Sequence, residues 1–133
     1  MRPAVVIRTM ADAVAAARRA ERLGVEVCLL SAPGAAAALG PAVFIEIVNQ
    51  TRAQVPAADI VGCLDCGGDA GTALNAVRLG IDIIRLDAPE PAWSKVHEIA
   101  QAAGLALIAE RPDDIDPAAA GADAVSDVSK NHT

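Results

Sequence analysis

Short runs rich in Val, Ile and Leu recur along this chain, each followed by an Ala-rich segment of helical period. That rhythm constrains the fold more than any other feature. AVVIR, from Ala4 to Arg8, opens the series, and Ala11 to Leu23 reads as a helix closed by Gly24. Its apolar face is Ala13, Ala16, Ala17 and Ala20, with Arg18, Arg19, Glu21 and Arg22 turned largely to water. VEVCLLS is the second strand, and Pro33-Gly34 and Gly40-Pro41 bracket a short helical turn. Pro41 then starts a helix running towards Gln54. DIVGCLD is the third strand, Gly71 to Leu79 most of a helix stopped by Gly80, and IDIIRLD the fourth strand. Pro91 to Ala103 is a helix ending at Gly104, and LALIAE the fifth strand. ADAVSDV, introduced by Gly121, is expected to be a sixth.

Strands two to five are apolar nearly throughout, the mark of strands buried on both faces of a parallel sheet. Alternation of β with α predicts an α/β fold of repeated βα units with right-handed crossovers. A chain of 133 residues holds one domain and one core. That domain is expected over residues 1–128, with 129–133 a frayed tail. Two architectures suit the pattern. One is a partial TIM-barrel-like sheet, and the other a flavodoxin-like three-layer sandwich with helices on both faces.

Composition narrows the partners. Hydrophobic residues make up 53% and aromatics 2%, so Ala, Val, Ile and Leu build the core, and base-stacking nucleic-acid modules are disfavoured. A net charge of −6 also argues against nucleic acid and anionic membrane surfaces, which select Lys and Arg. Val27 to Ile45 is uncharged, but Pro33, Gly34, Gly40 and Pro41 would break a lipid-exposed helix. No signal peptide is read at the start, and three cysteines fit reduced thiols rather than a disulfide framework. The expected setting is cytoplasmic.

The stretch AAGLALIAERPDDIDPAAAGADAV resembles thiamine phosphate synthases, where a strand ends in an acid-Arg pair and Gly-Ala-Asp opens the next strand. Those positions here are Glu110-Arg111 and Gly121-Ala122-Asp123. VIRTMADAVAAARRAERLGVEVCLLS is similar to the first βαβ of the keto-deoxy-phosphogluconate aldolases. The resemblance covers about half of the chain and implies a phosphate-binding (β/α) barrel. The chain departs from both patterns. It is longer between Asp113 and Gly121, and Ser126 stands where the synthases carry His. Its only lysines are Lys95, on a helix, and Lys130, in the tail, so the Schiff-base Lys of the aldolases has no counterpart. A whole barrel needs ~200 residues or more, which implies a partial barrel here. Open edges then favour a homo-oligomer.

In any parallel βα architecture the site lies at the carboxyl ends of the strands. Those ends carry Arg8, Ser31, Asp65 with Cys66, Asp87, and Glu110 with Arg111. Arg8 and Arg111 suit oxyanion clamps. Asp65, Asp87 and Glu110 suit metal ligands or a general base. For each residue the plainer alternative is a solvated charge or a helix cap. Gly67 and Gly68 sit where a helix amino terminus could cradle an anion, or form an ordinary turn with Asp69 as cap. Cys63 and Cys66 have thiol-redox spacing but lack the companions of that motif, and no four-ligand metal set is spaced around them. The cofactor, if one is used, is unknown from these residues. The expected function is binding of a small anionic metabolite, with lyase or isomerase chemistry if catalytic. The alternatives are a non-catalytic assembly or regulatory domain, and thiol redox through the cysteine pair.

Overall fold

Local signals at the helix ends account for where the elements begin and stop. In a computed structural model, which describes residues 2–117, strand β1 spans Ala4–Ile7 and helix α1 Met10–Leu23. Thr9 and Asp12 form a reciprocal capping box. The Asp12 N–H donates to Thr9 Oγ1 at 3.1 Å, and the Thr9 N–H donates to Asp12 Oδ2 at 3.2 Å. The box starts the helix one residue earlier than its apolar face suggests. Gly24 closes it at φ 67°, a conformation that favours glycine. The four alanines of the expected face are buried.

Strand β2 is Val27–Ser31, followed by the short helix α2, Ala35–Leu39, and by α3, Pro41–Gln54. Then come β3 (Ile60–Asp65), α4 (Ala70–Leu79), β4 (Ile83–Arg85), α5 (Ala92–Ala102) and β5 (Ala106–Ile108). A two-residue strand β6, Asp114–Ile115, was not foreseen, because it has no apolar run to read. The strand expected over residues 122–128 lies outside the described residues, as do Ser126, Lys130 and the tail.

Among the described residues the six strands are all parallel, in the order β5-β4-β3-β2-β1-β6. From β1 to β5 each strand is added on the same side of the last. Right-handed crossovers then place every helix on one face. In agreement, α1 packs on α3, α3 on α4 and α4 on α5, forming one layer. The larger core cluster joins these helices to Val5, Ile7, Leu29, Leu64 and Ile84. The smaller one is built from strand side chains: Ala4, Val6, Cys28, Leu30, Cys63 and Ile83. The sandwich alternative is therefore corrected, since it needs a reversal of strand order and helices on both faces.

Chain geometry shows that the sheet is curled. Only six residue steps separate Ile108 from Asp114, a reach of at most about 22 Å. Across a flat sheet, β5 and β6 would stand about 24 Å apart laterally, with a further ~13 Å along the strands. That is roughly 27 Å, so the ends can be joined only if the sheet bends inward. The connection runs over the carboxyl ends on the inner side. Ala109 O accepts from Arg85 Nε at 3.0 Å, Arg111 reaches β3 and β2, and Asp116 meets Arg8 beyond β1. Residues 109–116 thus form a strap across the mouth of a partial barrel.

Candidate functional site

Strand register stacks the inward side chains in layers. Asp65 pairs with Arg85, and Arg85 with Ile108. Continuing the register of Leu30 with Cys63 and Ile7 with Ser31 by one or two residues brings Ala32 and Arg8 into the same row. Arg8, Ala32, Asp65, Arg85 and Ile108 therefore form a top layer. Beneath it lie Val6, Leu30, Cys63 and Ile83, then Ala4, Cys28 and Val61. A charged layer over two apolar ones, at the carboxyl ends, is where a barrel places its chemistry.

Asp65 is the centre of this layer and is only 3% exposed. Its Oδ1 accepts from the Gly67 N–H at 2.9 Å and from Arg85 Nη1 at 3.3 Å, and its Oδ2 accepts from Arg111 Nη1 at 2.6 Å. Burial alone would raise this carboxyl. The Gly67 N–H and the Arg111 and Arg85 guanidiniums outweigh it and hold the pKa below the ordinary carboxylate value. The Asp65 N–H in turn donates to Ser31 Oγ at 2.9 Å. An ionised carboxylate with this set of donors is a poor proton acceptor. The geometry makes Asp65 the anchor of the two arginines.

Arg111 is likewise committed. Nη1 goes to Asp65, Nη2 to Ser31 O at 3.1 Å, and Nε to Asp114 Oδ2 at 2.8 Å. With all three nitrogens bonded inside the fold it fastens the strap, and it is not an open oxyanion clamp. Arg8 differs: its fork holds the two oxygens of Asp116 at 2.6 and 2.8 Å, in a pair open to solvent. Arg85, absent from the expected set, stands beside Asp87, with Nη2 and Oδ2 3.7 Å apart. A charge inside the apolar run IDIIRLD was the signal available for it. Asp87 is 75% exposed, and Glu110 is also exposed.

The glycine turn serves the chain itself. Gly67 adopts φ 56° and spends its N–H on Asp65, while the Thr72 N–H donates to Asp69 Oδ1 at 3.0 Å. Gly68 lies against the backbone carbonyl of Asp87. Asp69 is the N-cap of α4, so the turn-with-cap alternative describes this loop, and Gly67 has no donor left for an anion.

Cys63 and Cys66 fall on opposite faces of the sheet, Cys63 with the inner cluster and Cys66 with the helix-facing one. Burial, with Asp65 and Asp69 nearby, pushes the Cys66 thiol up to about 12. The Cys63 thiol is raised by its hydrogen bond to Cys28 and by burial. Thiols held protonated are weak nucleophiles. Mild oxidation of the native protein is expected to leave the Cys66 thiol titratable after unfolding, and a Cys63–Cys66 disulfide found by peptide mapping would contradict the placement of this pair. Among the described residues no group of three or more His, Cys, Asp or Glu could hold a metal, and no helix is long and apolar enough to cross a membrane.

An apolar cleft of about 60 Å³ opens beside the top layer, lined by Ile7, Arg8, Ser31, Val43, Phe44 and Ile47 among others. A larger cavity, about 120 Å³, lies between α1 and the β1–β2 strands, away from the charged layer. It is almost wholly apolar. The smaller cleft sits at the strand carboxyl ends, where Arg8 and Ser31 line it; Asp12 and Arg19 line the larger cavity.

No family model and no curated protein matches the chain. Its fold is similar to the crystal structure of a chain assigned as a fructose-1,6-biphosphate aldolase from Coccidioides immitis. The TM-score is 0.60 at 21% identity, over 80% of this chain and 44% of that one. The described chain thus spans less than half the length of that neighbour. At this identity the likeness concerns the fold, and it accords with a partial barrel.

Proposed function

We propose that the protein binds a small anionic metabolite at the carboxyl ends of β1 and β2. The observation that carries this reading is the solvent-facing fork of Arg8, which lines an apolar cleft together with Ile7, Phe44 and the buried Ser31. A guanidinium beside an apolar pocket suits a carboxylate or phosphate carrying a short carbon chain. The neighbour's assignment as an aldolase of a sugar bisphosphate is in line with a phosphorylated ligand and with lyase-type chemistry. In such chemistry the exposed carboxylate of Asp87, next to Arg85, is better placed as a base than Asp65.

Calorimetric titration with inorganic phosphate and with pyruvate tests the reading. Saturable binding of at least one is expected, weakened at least tenfold in Arg8→Gln, about 1.4 kcal/mol. Binding that is absent, or indifferent to Arg8, would sink it. The assembly alternative draws on four exposed large apolar side chains, Leu39, Val43, Leu79 and Ile99. A homo-oligomer is part of that proposal, and sedimentation equilibrium measures it directly.

A further inference from the structure

We infer that Asp116 is a built-in occupant of the Arg8 anion site, a carboxylate that an incoming anion must displace. The inference rests on the anion-binding reading above and adds a control element to it. Both guanidinium NH₂ groups of Arg8 donate to Asp116, Nη1 to Oδ1 at 2.6 Å and Nη2 to Oδ2 at 2.8 Å. This end-on fork is an arrangement arginine also adopts with a ligand carboxylate or phosphate. Asp116 follows β6, which is held to β1 by only two residue pairs, Ala4 with Asp114 and Val5 with Ile115. The carboxylate thus reaches Arg8 from the end of the strap.

Solvent access makes exchange feasible. The Arg8 and Asp116 side chains are 42% and 24% exposed, so an anion can approach the fork without opening the core. Exposed ion pairs are weak, and a ligand at millimolar concentration competes with them. The other end of the strap is anchored differently. Arg111 grips Asp65, which is buried, and holds when Arg8 changes partner. Anion binding is therefore coupled to release of Asp116 and the end of β6 beside it, while residues 109–114, tied through Arg111 to Asp65 and Asp114, stay in place.

Asp116→Asn keeps the shape of the side chain and removes its charge. Inorganic phosphate is expected to bind Asp116→Asn at least tenfold more tightly than the unaltered chain. The double variant Arg8→Gln with Asp116→Asn should lose that gain. In the unaltered chain, saturating phosphate should also raise amide exchange at Ile115 and Asp116 and leave Arg111 unchanged. Equal phosphate affinity in the unaltered chain and Asp116→Asn, with Arg8→Gln still weakened, overturns the built-in occupant and spares the anion site. Phosphate affinity that is absent or equal in all the variants overturns both. A variant Asp116→Ser, shorter and neutral, gives the same tightening if charge removal is the cause. A loss of binding there counts against the inference.

Discussion

Replacing Asp65 by Ala is expected to cost about 3–5 kcal/mol of stability, the range found when one partner of a buried ion pair is removed. The carboxylate lies between Arg85 and Arg111 and also accepts the Gly67 N–H. Its removal leaves two guanidiniums facing each other, orphans a turn N–H, and unfastens the strap at its centre. At roughly 4 °C per kcal/mol for a chain of this size, the melting temperature should fall by about 12–20 °C. Asp65→Asn should be destabilising as well, because an amide offers one acceptor where the carboxylate offers two. The pH dependence follows from the same contacts. Asp65 has its folded pKa depressed below the ordinary 3.8. Its contribution is present above that value and is lost as pH falls through the lower, folded one. The stability gap between the unaltered protein and Asp65→Asn should therefore stay constant from neutrality to about pH 5 and close below the ordinary carboxylate range. Urea titrations across that span measure it. A gap under about 1 kcal/mol at neutral pH would show that the pair is held for binding and not for the fold.

Gly62 is the second position where a small change should have a large effect. It lies within β3 on the helix-facing side, where a glycine marks close approach of a neighbour. A Cβ there would stand 2.7 Å from Ile81 Cδ1 and 3.1 and 3.2 Å from the two γ-carbons of Val48 on α3. Gly62→Ala should cost about 1–3 kcal/mol by overpacking, and Gly62→Val, with two more carbons, should fail to give a soluble fold. The identity of the obstructing atom gives a sharper test. Ile81→Val removes Cδ1 and by itself costs about 0.5–1.5 kcal/mol. In the Gly62→Ala background the same deletion should be neutral or stabilising, a coupling that a double-mutant cycle resolves. Additive losses would mean that Val48 and α3, rather than Ile81, set the spacing.

Much of the fold was legible along the chain. The apolar runs, the alanine face of α1, and the glycines ending α1, α2 and α4 report on backbone choices that each segment makes for itself. Choosing between a curled sheet and a sandwich was not possible from them, because both use the same βα units. Strand order decided it, and strand order is a relation among segments. At the site, Asp65 stood out because it ends a buried strand. Its two arginine partners lie 20 and 46 residues further on, and nothing local announces such pairings. Arg85 went unnamed because a cation inside an apolar run reads as an interruption until a buried carboxylate is found beside it. Asp114 and Asp116 were not singled out along the chain, yet they pair with Arg111 and Arg8.

The Cys63–Cys66 spacing shows the same limit from the other side. Three residues apart at the end of a strand, the two thiols fall on opposite faces, because side chains alternate and Cys66 lies beyond the last strand residue. By itself the sequence determined what depends on neighbours in the chain: helix caps, left-handed stops, strand burial, and a parallel βα architecture with polar strand ends. Only the tertiary structure decided which charges meet. Ion pairing depends on strand register and on the curl imposed by a short connection between the two sheet edges, and both arise from contacts between residues far apart in the chain.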